Sequence, residues 1–216
     1  MGTLAVGRLN GLEAITVDAN GTLVRLVDPL PKLERALREH CVERTREEIA
    51  AAFAAEGEHY RPRSLLGRDE ETLQRLHAEC AGVFLAELGA DIDPVAFAPV
   101  YLAALVFEPV PGAVEALERA RRAGIPLAVV SNWDARLPEI LRRLGVDRLF
   151  ETIVTSAEAA AAKPDPRIFE LALARLRVAP EQVLHVGDDP WDEEGARRAG
   201  LRFAHAPIAT ALAGIG

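Results

Sequence analysis

The chain has 216 residues, of which half are hydrophobic, and its formal net charge is −8. This length allows one α/β core with a small inserted domain, and the lack of a dense basic stretch excludes a typical nucleic-acid-binding surface. The two cysteines, Cys41 and Cys80, belong to neither a disulfide framework nor a metal-binding pattern.

Membrane attachment and secretion are not indicated by the sequence. No stretch has the length of a membrane span, and the first residues lack the long apolar segment of a secretion signal. We therefore expect a soluble, cytoplasmic protein with no membrane or nucleic-acid partner. The partner that we expect is a small-molecule substrate, whereas the oligomeric state stays open.

The first part of the chain combines a short strand with a long helical stretch. The apolar run from Leu12 to Val17 predicts a buried strand, which ends at Asp18 and is followed by the turn-forming pair Asn20 and Gly21. From Pro31 to about Phe107, apolar residues recur at helical spacing, and this spacing predicts an insertion of three or four helices.

Strands and amphipathic helices alternate in the second part of the chain. The predicted strands are Leu127 to Val130, Thr152 to Val154, Val183 to Val186 and Arg202 to His205. The predicted helices cover residues 113–123, 137–144, 167–176 and 194–199. This alternation predicts an α/β fold with a doubly wound parallel sheet and helices on both faces.

Polar side chains follow four of the predicted strands where each strand ends. They are Asp18, then Ser131 and Asn132, then Thr155 and Ser156, and finally Asp188 and Asp189. Lys163, one of only two lysines in the chain, comes shortly after the third group. Because ligands bind beyond the carboxyl ends of parallel strands, we expect these groups to form one site.

These residue types suit transfer of an anionic group. A carboxylate such as Asp18 can act as a nucleophile that forms a covalent intermediate, which water then hydrolyses. Asp18 and Asp188 could share one Mg²⁺, since carboxylate oxygens are the ligands that this ion prefers. Ser131 is a candidate hydrogen-bond donor to the transferred group, and Lys163 could pair with Asp18.

Four motifs, in order and with matching spacing, resemble those of the haloacid dehalogenase superfamily. They are Asp18-Ala-Asn-Gly-Thr-Leu23, Ser131-Asn132, Lys163-Pro-Asp-Pro-Arg-Ile-Phe169, and Gly187-Asp188-Asp189 with Asp192 and Gly195-Ala196. The resemblance implies a Rossmann-like core, residues 1–24 and 108–216, with a small helical cap domain, residues 25–107. The cap of this family closes over the site and selects the substrate.

The resemblance also implies roles for individual residues. Asp18, Asn20, Ser131 and Lys163 would be catalytic, and Asp18, the Asn20 carbonyl and Asp188 would hold Mg²⁺. Thr22, Ser131, Asn132 and Lys163 would bind the substrate and its phosphate. Asp189 and Asp192 would hold the metal ligands in place without binding the metal themselves.

Asn20 departs from the phosphatase pattern. Phosphatases of the family carry a second Asp at this position, which protonates the leaving group, and an amide cannot act as a general acid. The family's 2-haloacid dehalogenases carry another residue there, use no metal and release a halide that needs no proton. The pair Trp191 and Asp192 resembles the dehalogenases, whereas Gly187 and Asp188 have the phosphatase form.

Three hypotheses follow, of which we favour the first. It is a Mg²⁺-dependent phosphatase that acts on a small phosphorylated metabolite, slowly because of Asn20. The second is a metal-independent 2-haloacid dehalogenase, for which Arg61, Arg63 and Arg68 are candidates to bind the substrate carboxylate. The third is a binding module of the same fold with weak catalysis. Asp192 also suits a helix N-terminus, and His185, inside an apolar strand, is expected to be a satisfied core histidine.

Overall fold

The structure is a computed structural model that describes residues 11–215. Residues 1–10, which belong to the predicted core range and to the segment expected to lack a secretion signal, lie outside the described residues. The described strands are β1 Ala14–Val17, β2 Val24–Leu26, β3 Phe107–Pro109, β4 Leu127–Ser131, β5 Thr152–Thr155, β6 Val183–Gly187 and β7 Arg202–His205.

Helices connect most of these strands. The first four are α1 Leu30–Glu39, α2 Arg46–Tyr60, α3 Glu70–Glu87 and α4 Pro94–Ala104, with a 3₁₀ helix at Arg61–Leu66. The others are α5 Ala113–Arg122, α6 Leu137–Arg143, α7 Ser156–Ala159, α8 Arg167–Leu176, α9 Pro190–Arg198 and α10 Ile208–Ala211, with 3₁₀ helices at Asp147–Leu149 and Pro180–Gln182. No described helix is both long and apolar enough to cross a bilayer.

Five strands form one parallel sheet in the order β5-β4-β1-β6-β7, which confirms the predicted fold class. Successive residues of a strand point to opposite faces, so Ile15 and Val17 of β1 join one hydrophobic cluster while Ala14 joins another. Val129 and Val130 of β4 divide in the same way. The sheet is therefore buried on both faces, as parallel sheets require, and its carboxyl edge remains available for a ligand.

The helical segment, residues 30–104, contains four α-helices, in agreement with the prediction of three or four. Its helices bury a hydrophobic cluster of their own, separate from the two clusters of the sheet. Aromatic rings form the centre of this cluster, where Phe84 contacts Phe97 and Tyr101 with ring centroids 6.2 and 5.1 Å apart. The division of the chain at residues 25 and 107 stays a prediction.

A two-stranded antiparallel ribbon leads into and out of the helical segment. Strands β2 and β3 pair so that Leu26 lies opposite Phe107 and Arg25 opposite Glu108. The sequence analysis missed both strands, because three residues are too few to show the alternation that predicts a strand. Both boundaries of the predicted cap fall inside this ribbon.

The last helix before β7 begins four residues earlier than predicted. Helix α9 starts at Pro190 rather than near Glu194. The carboxylate of Asp189 accepts a hydrogen bond from the backbone N–H of Trp191 at 2.9 Å. In turn, the carboxylate of Asp192 accepts a hydrogen bond from the backbone N–H of Asp189 at 3.1 Å. This capping box, with proline at the first helical position, fixes the helix start directly beyond β6.

Candidate active site

Asp18 lies directly beyond β1, the central strand of the sheet. Its backbone N–H donates to the carbonyl oxygen of Val186 at 2.9 Å, and its side chain is almost fully buried. Because β1 pairs with β4 on one side and β6 on the other, Asp18 is flanked by the residues that end those two strands. The nucleophile expected from the sequence is therefore the centre of the site.

The turn after Asp18 allows Asp188 to approach closely. Gly21 has φ +82°, and a Cβ atom there would lie 2.2 Å from the Asp188 Oδ2 atom, so only glycine fits. The hydroxyl of Thr22 donates to Asp188 Oδ1 at 2.9 Å, and Thr22 is fully buried. The sequence analysis assigned Thr22 to phosphate binding; the contact observed is one that orients Asp188.

Lys163 occupies the space between two carboxylates. Its Nζ atom donates to Asp18 Oδ1, to Asp192 Oδ1 and to the carbonyl oxygen of Val130, the last at 3.1 Å. The side chain is buried, and burial disfavours an ammonium group, but the charges of Asp18 and Asp192 outweigh this effect and raise the pKa of Lys163. Lys163 is thus held as a cation next to the nucleophile.

The two residues after β4 have different contacts. The hydroxyl of Ser131, which is 2% exposed, lies near the Asp18 carboxylate and favours the ionised form by lowering the pKa of that group. The amide of Asn132 instead clamps the main chain of Lys163, donating to its carbonyl oxygen at 3.0 Å and accepting from its N–H at 2.7 Å. Asn132 therefore fixes the position of Lys163, and its predicted contact with the substrate stays a prediction.

Burial acts strongly on the carboxylates. It raises the pKa of Asp18 to about 6; the charge of Lys163 opposes this effect, and the charge of Asp192 adds to it. For Asp192 the contacts with Lys163 and His185 outweigh burial and lower the pKa. One ammonium thus compensates only one of two buried carboxylates. Burial also raises the pKa of Asp188, against the hydrogen bond from Thr22.

His185 lies behind Asp192 and confirms the expectation of a satisfied core histidine. It is fully buried, with Nδ1 2.9 Å from the Thr16 hydroxyl and Nε2 3.0 Å from Asp192 Oδ1. Burial lowers the pKa of His185, which favours the neutral ring. Since Asp192 is an ionised acceptor, Nε2 carries the proton and Nδ1 accepts from Thr16.

The acidic residues form one cluster. Among the described residues, Asp18, Asp188 and Asp192 each present a carboxylate oxygen within 4.8 Å of the others. Asp192 is already committed, because Oδ1 meets Lys163 and His185 while Oδ2 accepts from the Asp189 N–H. Asp18 and the part-exposed Asp188 are the members with room for a further ligand.

A cavity of about 620 Å³ lies between this cluster and the helical segment. Most residues expected from the sequence line it together: Asp18, Asn20, Ser131, Asn132, Lys163, Asp188, Asp189 and Asp192. Arg61 also lines it and lies 3.6 Å from Asp189, whereas Arg63 and Arg68 donate to main-chain carbonyls of His59 and Leu65 instead. Ser156 bonds with Ser64 of the helical segment at 2.9 Å, outside the cavity lining.

The sequence analysis missed a polar joint between the core and the helical segment. Asp134 is fully buried and its carboxylate accepts from Tyr60 at 3.1 Å, meets His77 at 3.4 Å and pairs with Arg136 at 2.9 Å. Burial opposes ionisation, but the hydrogen bond of His77 and the charge of Arg136 outweigh it and lower the pKa of Asp134 to about 2. The only available signal was a pair of charged residues soon after the Ser131 strand end.

Comparisons with known proteins agree with this arrangement. The sequence pattern of the haloacid dehalogenase-like hydrolases matches residues 12–200. The haloacid dehalogenase-like hydrolase domain-containing protein 3 of Xenopus laevis is 48% identical over 89 residues, which cover 41% of this chain and 36% of that protein. The matched stretch thus spans about a third of the length of that relative.

Two further relatives cover most of the chain. The glyceraldehyde 3-phosphate phosphatase of Methanopyrus kandleri is 30% identical over 197 residues, which cover 88% of this chain and 82% of that protein. The solved structure of the L-2-haloacid dehalogenase of Xanthobacter autotrophicus, with chloropropionic acid covalently bound, has a TM-score of 0.69 at 24% identity. It covers 90% of this chain and 77% of that chain, and it shows similarity of fold alone.

Proposed function

This chain belongs to the haloacid dehalogenase-like hydrolases, and from that premise we propose that it is a Mg²⁺-dependent phosphatase in which Asp18 is the nucleophile. The substrate class that we propose is a small phosphorylated metabolite. The observation that carries the proposal is the excess of negative charge at the strand ends. Three carboxylates lie within 4.8 Å of one another, and a single ammonium, that of Lys163, is bonded to two of them.

The donor set fits a magnesium ion. Mg²⁺ prefers oxygen ligands and is usually bound by one or two carboxylates together with substrate oxygens and water. Asp18 and Asp188 would supply the carboxylates, with the main-chain carbonyl of Asn20 as a further ligand. Asp192 would act indirectly, because it holds Lys163 and the Asp189 N–H. When bound, Mg²⁺ would neutralise charge on the transferred phosphoryl group.

In the first step, a carboxylate oxygen of Asp18 attacks phosphorus and the bond from phosphorus to the leaving oxygen breaks. The products are a phosphoryl-Asp18 intermediate and the leaving alkoxide, which takes its proton from water. Lys163 favours the ionised form of Asp18 through their direct contact, and Ser131 donates to a phosphoryl oxygen. Asn20 supplies no proton, so substrates with acidic leaving groups react fastest.

In the second step, water attacks phosphorus, the bond to Asp18 breaks, and phosphate leaves. The helical segment would serve as the cap that keeps other water out of the cavity. Two contacts support this role: the Tyr60 bond to Asp134, and the bond from the Ala135 N–H to the Gly67 carbonyl at 2.9 Å. A Cβ at Gly67 would lie 3.0 Å from that of Asp134, which explains why a glycine stands there.

Hydrolysis of p-nitrophenyl phosphate with Mg²⁺ and with EDTA tests the proposal. Its acidic leaving group makes the missing proton donor least important. We expect phosphate release that needs Mg²⁺ and is lost in Asp18→Asn, while Asp188→Asn raises the Mg²⁺ concentration required. Asp91→Asn, an exposed residue of the helical segment, serves as the matched control and should behave like the wild type. Equal activity in EDTA would contradict a metal-dependent mechanism.

Asn20 favours a second candidate, the metal-independent 2-haloacid dehalogenase, because a halide leaves without a proton. Chloride release from 2-chloropropionate in EDTA, dependent on Asp18, would support it. If Mg²⁺ and phosphate bind while neither substrate is hydrolysed, the chain is a binding module of the same fold.

A further inference from the structure

The loop that follows Ser131 and Asn132, here called the 133–136 loop, forms part of the cavity wall. Trp133 and Arg136 both line the cavity. The indole N–H of Trp133 is buried and has no hydrogen-bond partner among residues 11–215, although the ring itself packs against Phe107 with centroids 5.0 Å apart. A buried donor without a partner is unfavourable, so this N–H calls for an explanation.

Arg136 is held rigidly, but with only part of its guanidinium. Its Nε atom donates to both carboxylate oxygens of Asp134, at 3.1 and 3.2 Å, and its Nη2 atom donates to Oδ2 at 2.9 Å. No hydrogen bond of Nη1 is found within the described part of the chain, and the side chain is 28% exposed. Asp134 thus orients a permanent cation that also interacts with Tyr60, and the Nη1 donors remain available for a ligand.

The other lysine and arginine side chains of the cavity are held differently: the donors of Lys163 are in use, and Arg61 is exposed and makes no side-chain hydrogen bond among the described residues. Lys163 is bonded to Asp18 and Asp192. Arg61 lies 3.6 Å from Asp189, with its guanidinium carbon 5.6 Å from the centroid of the Trp191 ring. Within the described residues, Arg136 is therefore the cavity arginine that hydrogen bonds hold in place while its Nη1 atom keeps its donors for a ligand.

The negative charge of Glu56, which also faces this part of the cavity, is reduced. Glu56 also lines the cavity, but it is buried and accepts a hydrogen bond from Tyr101 at 2.8 Å. Burial raises the pKa of Glu56, which favours its neutral form. Several remaining wall residues are apolar, among them Leu26, Phe53, Leu102, Leu105 and Phe107. A cavity of about 620 Å³ also has room for far more than one phosphoryl group.

We propose that the 133–136 loop binds a second anionic oxygen group of the substrate, a carboxylate or a second phosphate, with Arg136 as its principal donor and Trp133 as a supporting one. This inference rests on the proposed phosphatase function and narrows its substrates to phosphate esters that carry two anionic ends. Arginine suits the role because its planar donors match the oxygens of either group.

Matched pairs of phosphate esters test the inference. Short ω-phosphooxy carboxylic acids are compared with alkyl phosphates of the same length, and alkanediol bisphosphates form a second arm that distinguishes phosphate from carboxylate. For the wild type, we expect kcat/KM to be at least tenfold higher for the ester with two anionic groups than for its matched alkyl phosphate, mainly because its KM is lower. Arg136→Met should lower this preference about 10–100-fold, and Trp133→Phe, which keeps the ring, should lower it several-fold.

Two controls keep folding and function separate from recognition. Arg143→Met removes an exposed arginine of α6 that pairs with Glu139, and its preference should equal that of the wild type. Thermal stabilisation of Asp18→Asn by the same esters measures binding without turnover, so a failed phosphatase assay leaves recognition measurable. Equal kcat/KM within each pair, or a preference that survives both Arg136→Met and Trp133→Phe, would overturn the inference while leaving the phosphatase proposal intact.

Discussion

The strand-end edge and the wall contributed by the helical segment hold their buried polar groups in different ways. At the edge, the buried Asp18 and Asp192 are bonded to Lys163, the exposed Asp188 lies within 4.8 Å of both, and the carboxylates outnumber the cation. In the helical wall, Glu56 accepts from Tyr101, and burial raises the pKa of both side chains, which favours their neutral forms. The carboxylates nearest Lys163 therefore lie on the sheet, whereas the buried acid of the helical wall, Glu56, is shifted toward its neutral form.

Asp134 joins the two regions, because this residue of the 133–136 loop hydrogen-bonds with side chains of the helical segment. Tyr60 and His77 of the helical segment both meet its carboxylate. The contacts come from α2 and α3, whose separate hydrophobic cluster positions them. Three substitutions test how the two regions differ, one at the edge, one at the missing proton donor and one at the joint.

Lys163→Met should have the largest effect. It removes the one cation bonded to Asp18 and Asp192, and breaking a buried ion pair costs about 3–5 kcal/mol of unfolding free energy, while loss of a charge-stabilising group lowers kcat about 10²–10³-fold. Urea unfolding and the p-nitrophenyl phosphate assay measure the two effects. Lys32→Met, at the only other lysine and exposed, should change neither. A Lys163→Met protein as stable as the wild type would contradict the role of Lys163 in compensating the buried carboxylates.

Asn20→Asp should have the next largest effect, and in the opposite direction. A carboxyl group can protonate the leaving alcohol, so kcat/KM for alkyl phosphates should rise about 10²-fold, with little change for p-nitrophenyl phosphate. Plotted against the leaving-group pKa, the rates of a series of esters should fall less steeply than in the wild type. Asn20→Ala removes the amide without adding an acid and should show no gain. A flat response of Asn20→Asp would mean that Asn20 has another role.

Asp134→Asn should have a smaller effect that depends on pH. The folded pKa of about 2 lies below the unfolded value, so the carboxylate stabilises the fold above the unfolded pKa, by about 2 kcal/mol, and loses this contribution as the pH falls through the folded pKa. The variant should therefore be less stable at neutral pH and approach the wild type between about pH 4 and pH 2. A loss that is constant with pH, or equal to that of Asp91→Asn, would contradict the role of the joint.

The gathering of polar residues at the edge could be predicted from the sequence because parallel strands bring their carboxyl ends to one place. Asp18, Ser131 and Asp188 each follow an apolar run, and Lys163 follows the third strand, so short local patterns were sufficient. These patterns could not predict the hydrogen bonds that orient the site residues. Thr22 and Asn132 turn their side chains toward Asp188 and Lys163, and such directions depend on backbone geometry.

The sequence analysis missed the contacts of Asp134 with the helical segment, and the ribbon of β2 and β3, for a different reason. Tyr60 and His77 lie 74 and 57 positions from Asp134 in the chain, and a single sequence contains no signal for such pairings. Strands β2 and β3 owe their existence to pairing across the whole helical segment. Where structure depends on long-range packing, the sequence predicted the kind of element, a helical insertion, and not its contacts.

The proposed phosphatase mechanism requires a covalent bond between Asp18 and phosphorus. The most direct measurement is mass spectrometry of the peptide that contains Asp18, after rapid acid quenching of a reaction with p-nitrophenyl phosphate and Mg²⁺. We expect a phosphoryl group on Asp18 in the wild type, at higher occupancy early in the reaction, and none in Asp18→Asn. Turnover with no modified peptide, or a phosphoryl group on another residue, would contradict the account.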